Sequence, residues 1–339
     1  MTALIRSSGI RGYESLMTRL GSNPRPLLRR FHIAPDMLVD DDALVPLRSV
    51  ANLLEASAEA TGHLDFGLRM AQQQGIEILG PLALGMQHSP TVAEALQFAS
   101  RYLFVHSPGL VFSVLPRSTV VPGACELRLQ INLTPQPVQR QAMDQCLGVL
   151  YRILQFLAPR HSSLQAVALP HRPLAPLKTY ARFFGAPVRI EQEHGGLHVL
   201  PEALDTSLRA VNASLRKMAA EYLSQHYGDP TQSLSVRVRQ ALRRTLSTTQ
   251  GRKEAIAEML AMHPRTLQRR LAAEQCCFED LREEVRKEAA LRYLRDTRVP
   301  LSQLSSLLGL SEQSALTRSC RRWFGSTPSR LRRAGVEGG

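Results

Sequence analysis

Side chains that can pair with nucleic-acid bases recur along the predicted helix 264–273. Its apolar residues Leu267 and Leu271 are four positions apart and mark a buried face. The opposite face exposes four polar side chains: Arg265, Gln268, Arg269 and Arg270. Arginine can pair with O6 and N7 of guanine, and glutamine with N6 and N7 of adenine. A helix with this face has the side chains that reading base edges requires.

A second helix of the same kind is predicted from Glu312 to Phe324. Leu316 and Cys320 face inward at helical spacing. The outward face carries five polar side chains: Gln313, Ser314, Thr317, Arg318 and Arg321. Each of the two helices follows a shorter apolar helix and a tight turn, at 261–263 and at 309–311. The sequence therefore predicts two helix-turn-helix patterns in tandem.

A single long helix is predicted to connect the two patterns. Residues 278–296 place apolar side chains on one helical face: Phe278, Leu281, Val285, Ala289 and Leu294. Nineteen residues span about 28 Å at about 1.5 Å per residue. One turn of B-DNA is about 34 Å, so a rigid connector of this length suits two helices in successive major grooves.

Positive charge is concentrated in the same part of the chain. The whole sequence of 339 residues carries a formal charge of +13. Residues 231–339 contain 21 Lys and Arg against 11 Asp and Glu, a net charge of +10. This asymmetry favours a polyanion partner, nucleic acid before an anionic membrane surface. A solvated basic surface is the alternative that charge alone leaves open.

Three stretches of residues 233–333 resemble the DNA-binding domain of the AraC/XylS family of bacterial transcription regulators. They are HPRTLQRRL (263–271), RKEAALRYL (286–294) and RRWFGSTPSR (321–330). The resemblance implies double-stranded promoter DNA and RNA polymerase as partners, with base contacts on seven residues: Arg265, Gln268, Arg269, Gln313, Ser314, Thr317 and Arg318. For Arg270 and Arg321 a phosphate contact or solvation is the better interpretation.

The sequence departs from the family pattern mainly in the second unit. Leu310, Leu316 and Cys320 stand where the family usually has Phe, and Ser305 where it has Ala. Smaller side chains are expected to loosen that unit or its grip on DNA. Residues 275–276 also replace a usual Gly, so a different turn is expected there.

The first two-thirds of the chain mixes helical and strand periods, which predicts an α+β domain over residues 1–205. A capped helix is predicted from Val92 to His106, and residues 127–133 alternate as a half-buried strand. The stretches 79–84, 91–96, 102–109 and 183–188 resemble the arabinose-binding-type domain of a subset of these regulators. The resemblance implies a small-molecule effector, and regulators of amino-acid catabolism are plausible relatives.

Residues 206–232 are predicted to form a helix and a linker. From Leu208 to Tyr222 apolar residues step by three and four, the spacing of a short dimerisation helix. Packing against its own domain is the alternative. The DNA-binding domain is then predicted over 233–334, and a homodimer is expected.

Other functional classes are less well supported. The sequence contains no GxSxG, HExxH, P-loop or GxGxxG motif, and no cofactor or metal site is predicted. His194 and His198 flank two glycines and are interpreted as a hairpin tip. Five cysteines without ligand spacing and no long apolar run predict a cytoplasmic protein.

Two interpretations of the whole chain remain open. The first is a ligand-responsive, sequence-specific regulator, which the family resemblance implies to be an activator of a catabolic or metabolic operon. The second is a ligand-independent DNA-binding protein whose first domain is a dimerisation or protein-contact module.

Overall fold

The computed structural model describes residues 3–133, 138–159, 164–227, 233–260, 262, 264–297 and 299–336. The chain divides into two units, residues 1–223 and 224–339. The boundary falls inside the helix Ala213–Tyr227. The division into 1–205, 206–232 and 233–334 stays a prediction.

The first unit combines helices with two sheets, as the mixed periodicity predicts. The helices up to the unit boundary are α1 (Tyr13–Arg19), α2 (Arg25–Arg30), α3 (Leu47–Thr61), α4 (Phe66–Gln72), α5 (Pro81–Gln87), α6 (Val92–Tyr102), α7 (Arg140–Leu157), α8 (Leu177–Phe184), α9 (Pro201–Leu204) and α10 (Ala213–Tyr227). The strands are β1 (Leu4–Arg6), β2 (Leu44–Pro46), β3 (Leu110–Leu115), β4 (Cys125–Ile131), β5 (Leu164–Ala168), β6 (Val188–Arg189) and β7 (Gly195–Val199). The predicted α+β class is confirmed.

The larger sheet has the order β3-β4-β7-β5-β6 and is antiparallel except for the β5–β6 pair. In β4 the side chains of Leu127, Leu129 and Ile131 are buried, while Arg128 and Gln130 are partly exposed. Successive side chains of a strand point to opposite faces, so the predicted alternation produces one fully apolar face. Helix α7 packs against β4 and β7.

Helices α4 and α7 cross at very close range because glycine lies at the contact. A Cβ on Gly67 would lie 2.1 Å from the backbone oxygen of Gln141. The Gly67 N–H instead donates to Gln141 Oε1 at 2.7 Å.

The predicted cap of α6 is also present, since Thr91 Oγ1 accepts from the Glu94 N–H at 3.2 Å.

The interpretation of residues 194–198 as a hairpin tip is wrong. Gly195 and Gly196 lie inside β7, between β4 and β5. A Cβ on Gly195 would come within 2.7 Å of Met143 Sδ, so glycine makes room for α7 rather than for a turn. Within the part of the chain that the structure describes, no group of three His, Cys, Asp or Glu side chains could hold a metal ion.

The predicted dimerisation helix is shorter than its apolar spacing indicates. Helix α10 begins at Ala213, and Asn212 Oδ1 accepts from the Leu215 N–H at 3.0 Å to cap it. Leu208 is buried before the helix, where its N–H donates to Pro90 O at 3.0 Å. Only the end of the pattern, from Leu215 to Tyr222, therefore lies on a helix.

In the second unit every described element is a helix. They are α11 (Leu234–Thr249), α12 (Lys253–Met259), α13 (Pro264–Ala273), α14 (Phe278–Asp296), α15 (Leu301–Leu307), α16 (Gln313–Phe324) and α17 (Pro328–Val336). A single apolar cluster runs through both helix-turn-helix patterns and α14, with fully buried Leu267, Leu271, Leu304 and Leu316. Among the described residues, no helix is long and apolar enough to cross a membrane.

The turn after α13 has the backbone conformation that usually requires glycine, although its sequence has none there. Gln275 lies in the left-handed region at φ 56. Its N–H donates to Ala272 O at 3.0 Å, and the Cys276 N–H donates to Leu271 O at 2.9 Å. This pair of hydrogen bonds is the Schellman motif, in which glycine is usual because a Cβ is strained there. The expectation of a different turn is therefore wrong: the glycine-type turn is kept, and Gln275 occupies its strained position.

We predict that Gln275→Gly raises the free energy of unfolding of the second unit by about 0.5–1 kcal/mol, because it removes the Cβ strain. Trp323 is the one tryptophan of the chain, so urea unfolding followed by its fluorescence reports on this unit. The control is Gln303→Gly within α15, which should cost about 1 kcal/mol. A loss of stability in Gln275→Gly would contradict the argument.

Candidate nucleic-acid interface

Helix α13 presents the predicted polar face to solvent. Leu267 and Leu271 are fully buried. The polar side chains between and beside them are all exposed: Arg265, Gln268, Arg269 and Arg270. Helix α12 precedes it, with Ile256 and Ala257 buried. Of the predicted turn, Ala261 and His263 lie outside the described residues, and Met262 is buried.

Helix α16 repeats this arrangement. Leu316 and Cys320 are fully buried, while Gln313, Ser314 and Arg318 are exposed. Thr317 is half-buried and its hydroxyl donates to Gln313 O at 3.2 Å. All seven sequence-predicted residues therefore lie on the outer faces of two helices that share one core.

The substitutions relative to the family pattern lie inside that core. Leu310 packs against it, and Ser305 is buried with its hydroxyl donating to Ser302 O at 2.6 Å. The Ser305 hydroxyl is thus satisfied within its own helix. A weaker contribution of α16 to DNA affinity stays a prediction.

Arg286 of the connecting helix α14 connects the second pattern to the end of α11. Its Nε donates to Leu308 O at 2.9 Å, and its Nη2 donates to Gly309 O at 2.7 Å and to Gln250 O at 3.3 Å. Leu308 and Gly309 lie between α15 and α16, whereas Gln250 directly follows α11. Burial, followed by the charge of Arg282, lowers the pKa of Arg286 from its ordinary value. A guanidinium keeps its charge regardless.

The turn itself leaves no room for a side chain. Gly309 has φ 65, and a Cβ there would lie 2.7 Å from Gln250 O. Close approach of the two backbones brings their carbonyl oxygens within reach of one guanidinium. The sequence did not predict this role of Arg286, although the residue begins the stretch 286–294 that resembles the family.

A second set of contacts fixes α16 and α11 to their neighbours. Glu283 accepts from Trp323 Nε1 at 2.8 Å and pairs with Arg322. The hydrogen bond from Trp323 lowers the pKa of Glu283. At the other end, Glu274 accepts from the backbone N–H groups of Leu234 at 2.7 Å and Ser235 at 2.9 Å, which caps α11.

The N-terminus of α16 carries an acidic residue that the predicted site did not include. Glu312 immediately precedes α16 and accepts a hydrogen bond from the Ser314 hydroxyl. Its carboxylate also lies 3.8 Å from Arg318 Nη2, and Arg318 Nη1 donates to Ser314 Oγ at 3.2 Å. Its position directly before the candidate residues was the available sequence signal.

Two helix-turn-helix units on one core define a DNA-binding transcription regulator rather than an enzyme. The family described as the arabinose-binding domain of AraC transcription regulators matches residues 21–208, and a helix-turn-helix domain matches residues 256–334. The chain belongs to the AraC family of transcription regulators.

Relatives extend over nearly the full length. The transcriptional regulator VirS of Mycobacterium tuberculosis is 38% identical, covering 98% of this chain and 97% of its own. The ornithine utilization regulator of Pseudomonas aeruginosa is 25% identical, covering 94% and 93%. The crystal structure of CdpR from Pseudomonas aeruginosa is 20% identical with a TM-score of 0.45, covering 91% and 96%.

We predict that Arg286→Lys lowers the free energy of unfolding of the second unit by about 1–3 kcal/mol. A lysine cannot reproduce the fork, so the part-buried carbonyl oxygens of Leu308 and Gly309 lose a charged donor. Urea unfolding followed by Trp323 fluorescence measures the change. Arg243→Lys is the control, because its pair with Glu288 is exposed and should change stability by less than about 1 kcal/mol. Equal effects of the two substitutions would count against the role of Arg286.

Proposed function

We propose that α13 and α16 read base edges of promoter DNA through seven residues: Arg265, Gln268, Arg269, Gln313, Ser314, Thr317 and Arg318. The observation that carries the proposal is that all seven side chains lie on the outer faces of two helices that share one core, six of them exposed and Thr317 half-buried. Side chains fixed on rigid elements are those that can discriminate bases, because their position is set before binding.

The length of the connecting helix supports binding of α13 and α16 in two adjacent major grooves. Helix α14 has the predicted bounds, Phe278–Asp296, and its 19 residues correspond to about 28 Å. The adjacent grooves on one face of B-DNA are about 34 Å apart. The positive charge of residues 231–339 supplies the sequence-independent attraction to phosphates.

We predict that Arg269→Ala costs about 1–3 kcal/mol on the cognate site and relaxes base preference at one position. Arg270→Ala is the matched control on the same exposed helix, and it should weaken cognate and scrambled DNA equally if it contacts phosphate. The measurement is footprinting and gel-shift titration at fixed salt on DNA flanking the gene. An equal loss on both DNAs for Arg269→Ala would remove it from the base-reading set.

The first unit is proposed to make this binding ligand-responsive. The match of residues 21–208 to an arabinose-binding-type domain supports an effector site. The chain is further proposed to act as an activator that contacts RNA polymerase at a metabolic operon. The name of the ornithine utilization regulator supports an operon of small-molecule use, with amino-acid catabolism as one instance.

A homodimer through α10 is the second proposal. The ligand-independent alternative instead makes the first domain the dimerisation or protein-contact module. Leu215, Met218 and Tyr222 keep the three-and-four spacing on the helix, and Met218 is 61% exposed. An apolar seam of this spacing is self-complementary about a two-fold axis, so a second copy of the chain is the occupant it fits.

We predict that Met218→Asp converts a dimer into a monomer at micromolar concentration, because it places a charge on the seam. Sedimentation velocity measures the oligomeric state. Lys217→Asp introduces the same carboxylate on an adjacent exposed position of α10 and should leave sedimentation unchanged. A monomeric wild type, or a Met218→Asp variant that stays dimeric, would exclude this seam.

A further inference from the structure

A polar pocket of about 360 Å³ lies in the first unit, where α4, α7 and α8 meet. Each helix lines it with residues three or four positions apart, so one face of each helix forms a wall. Pockets that hold small organic ligands have volumes of about 300–1,000 Å³. The size of this pocket therefore suits a small organic molecule.

The walls of this pocket carry an excess of positive charge. Arg69, Arg152 and Arg182 line it, one from each helix. The acidic residue of the lining is Asp65, and its Oδ1 already accepts from Arg69 Nε at 2.8 Å. Three positive charges and one negative charge leave the lining with a net charge of +2. Since like charges repel, an anion bound among these arginines would lower the electrostatic free energy of the site.

The ends of the three arginine side chains stay available for such an anion. Arg152 is held through its Nε, which donates to Gln74 O at 2.8 Å, and Arg69 is held through its Nε by Asp65. Arg182 has no side-chain hydrogen bond or ion pair to any residue that the structure describes. The terminal nitrogens of a guanidinium form a planar fork that matches two oxygens of a carboxylate or phosphate group.

The buried residues of the lining are apolar or aromatic. Leu68 and Tyr151 are buried and Phe183 is half-buried. The rings of Tyr151 and Phe183 lie 6.1 Å apart, and the Tyr151 hydroxyl accepts from Gln155 Nε2 at 2.8 Å. These side chains offer hydrocarbon surface beneath the charged groups. The pocket thus suits a ligand that combines negative charge with an apolar body.

We propose that this pocket is the effector site and that it binds a small organic dianion, a dicarboxylate or a phosphate monoester, with an apolar body. The inference rests on the proposed ligand response of the first unit and names its site and ligand class. Two negative charges match the net charge of the lining. A neutral sugar leaves the arginine charges uncompensated, and an amino acid with a cationic side chain adds to them.

The test uses phthalate and phenyl phosphate, which both carry two negative charges at about pH 8. Benzoate and benzamide keep the ring and carry one charge and none. Calorimetric titrations of the full-length protein should give at least one dianion a dissociation constant about tenfold below that of benzoate, with benzamide the weakest. The preferred dianion identifies the anionic group. Its binding should weaken as salt rises, because exposed charges are screened.

Two variants test the walls. Arg182→Gln should weaken the preferred dianion about tenfold and narrow its preference over benzoate, because one charged donor is lost. Gln72→Glu should also weaken the dianion, because it adds a carboxylate of the same shape to the lining at an exposed position. Arg117→Gln is the matched control, since it removes the same charge at an exposed position outside the pocket. It should bind as the wild type does.

The outcomes separate this inference from the proposed function. Equal dissociation constants for the dianions and benzoate, or unchanged dianion binding in both wall variants, would overturn the assignment of the site. Binding of arabinose or ornithine without binding of either dianion would overturn the ligand class and leave the ligand response standing. Dianion binding that both wall variants weaken, but that leaves the DNA footprint unchanged, would support the site and contradict ligand control.

Discussion

The geometry of the DNA-binding unit depends on one guanidinium. Arg286 donates to carbonyl oxygens at the end of α11 and in the turn before α16. Carbonyl groups at helix ends have no partner in their own helix, so they need donors from elsewhere. Because Arg286 supplies these donors from α14, its hydrogen bonds fix the start of α16 relative to the end of α11. The apolar cluster packs α13 and α14 against the same core as α11 and α16.

Local periodicity was enough to predict the helices of this unit, because their buried faces repeat within each segment. The bounds of α13 and α14 agree with the spacing of Leu267, Leu271 and the apolar residues of α14. The role of Arg286 could not be predicted in this way. Its partners are backbone oxygens, which every residue type possesses, so no sequence signature marks them.

In the first unit, the sequence-based predictions were wrong where contacts with a distant segment determine the local structure. Gly195 and its neighbour were interpreted as a turn, yet the approach of Met143 makes glycine necessary within a strand. Leu208 continued a helical spacing, yet its N–H bonds to Pro90 and its side chain is buried before α10 begins. The strand predicted at 127–133 lies at Cys125–Ile131, and its alternation was predictable because it reflects one buried face. The apolar cavity among α6, α7, β3 and β4 was not predictable, since its walls come from segments far apart in sequence.

The two helices proposed to read bases differ in their charge, because a carboxylate stands at the beginning of one of them. The first turn of α13 contains no acidic residue, whereas Glu312 precedes α16 and engages Ser314 and Arg318. On the proposed readout, this carboxylate comes close to DNA phosphates, where like charge costs free energy on every sequence. Its complementary partner among the bases is N4 of cytosine.

On a DNA site with cytosine in reach of Glu312, a hydrogen bond from N4 offsets part of the free energy lost to phosphate repulsion. A DNA site without that cytosine lacks this offset. Arg318 and Ser314 must also leave Glu312 before they can bond to bases, which reduces their net contribution to binding. On this readout α13 supplies most of the affinity, while α16 supplies discrimination through what it penalises. On the proposed readout, the single acid beside α16 therefore gives the two helices different expected roles in binding and in selection.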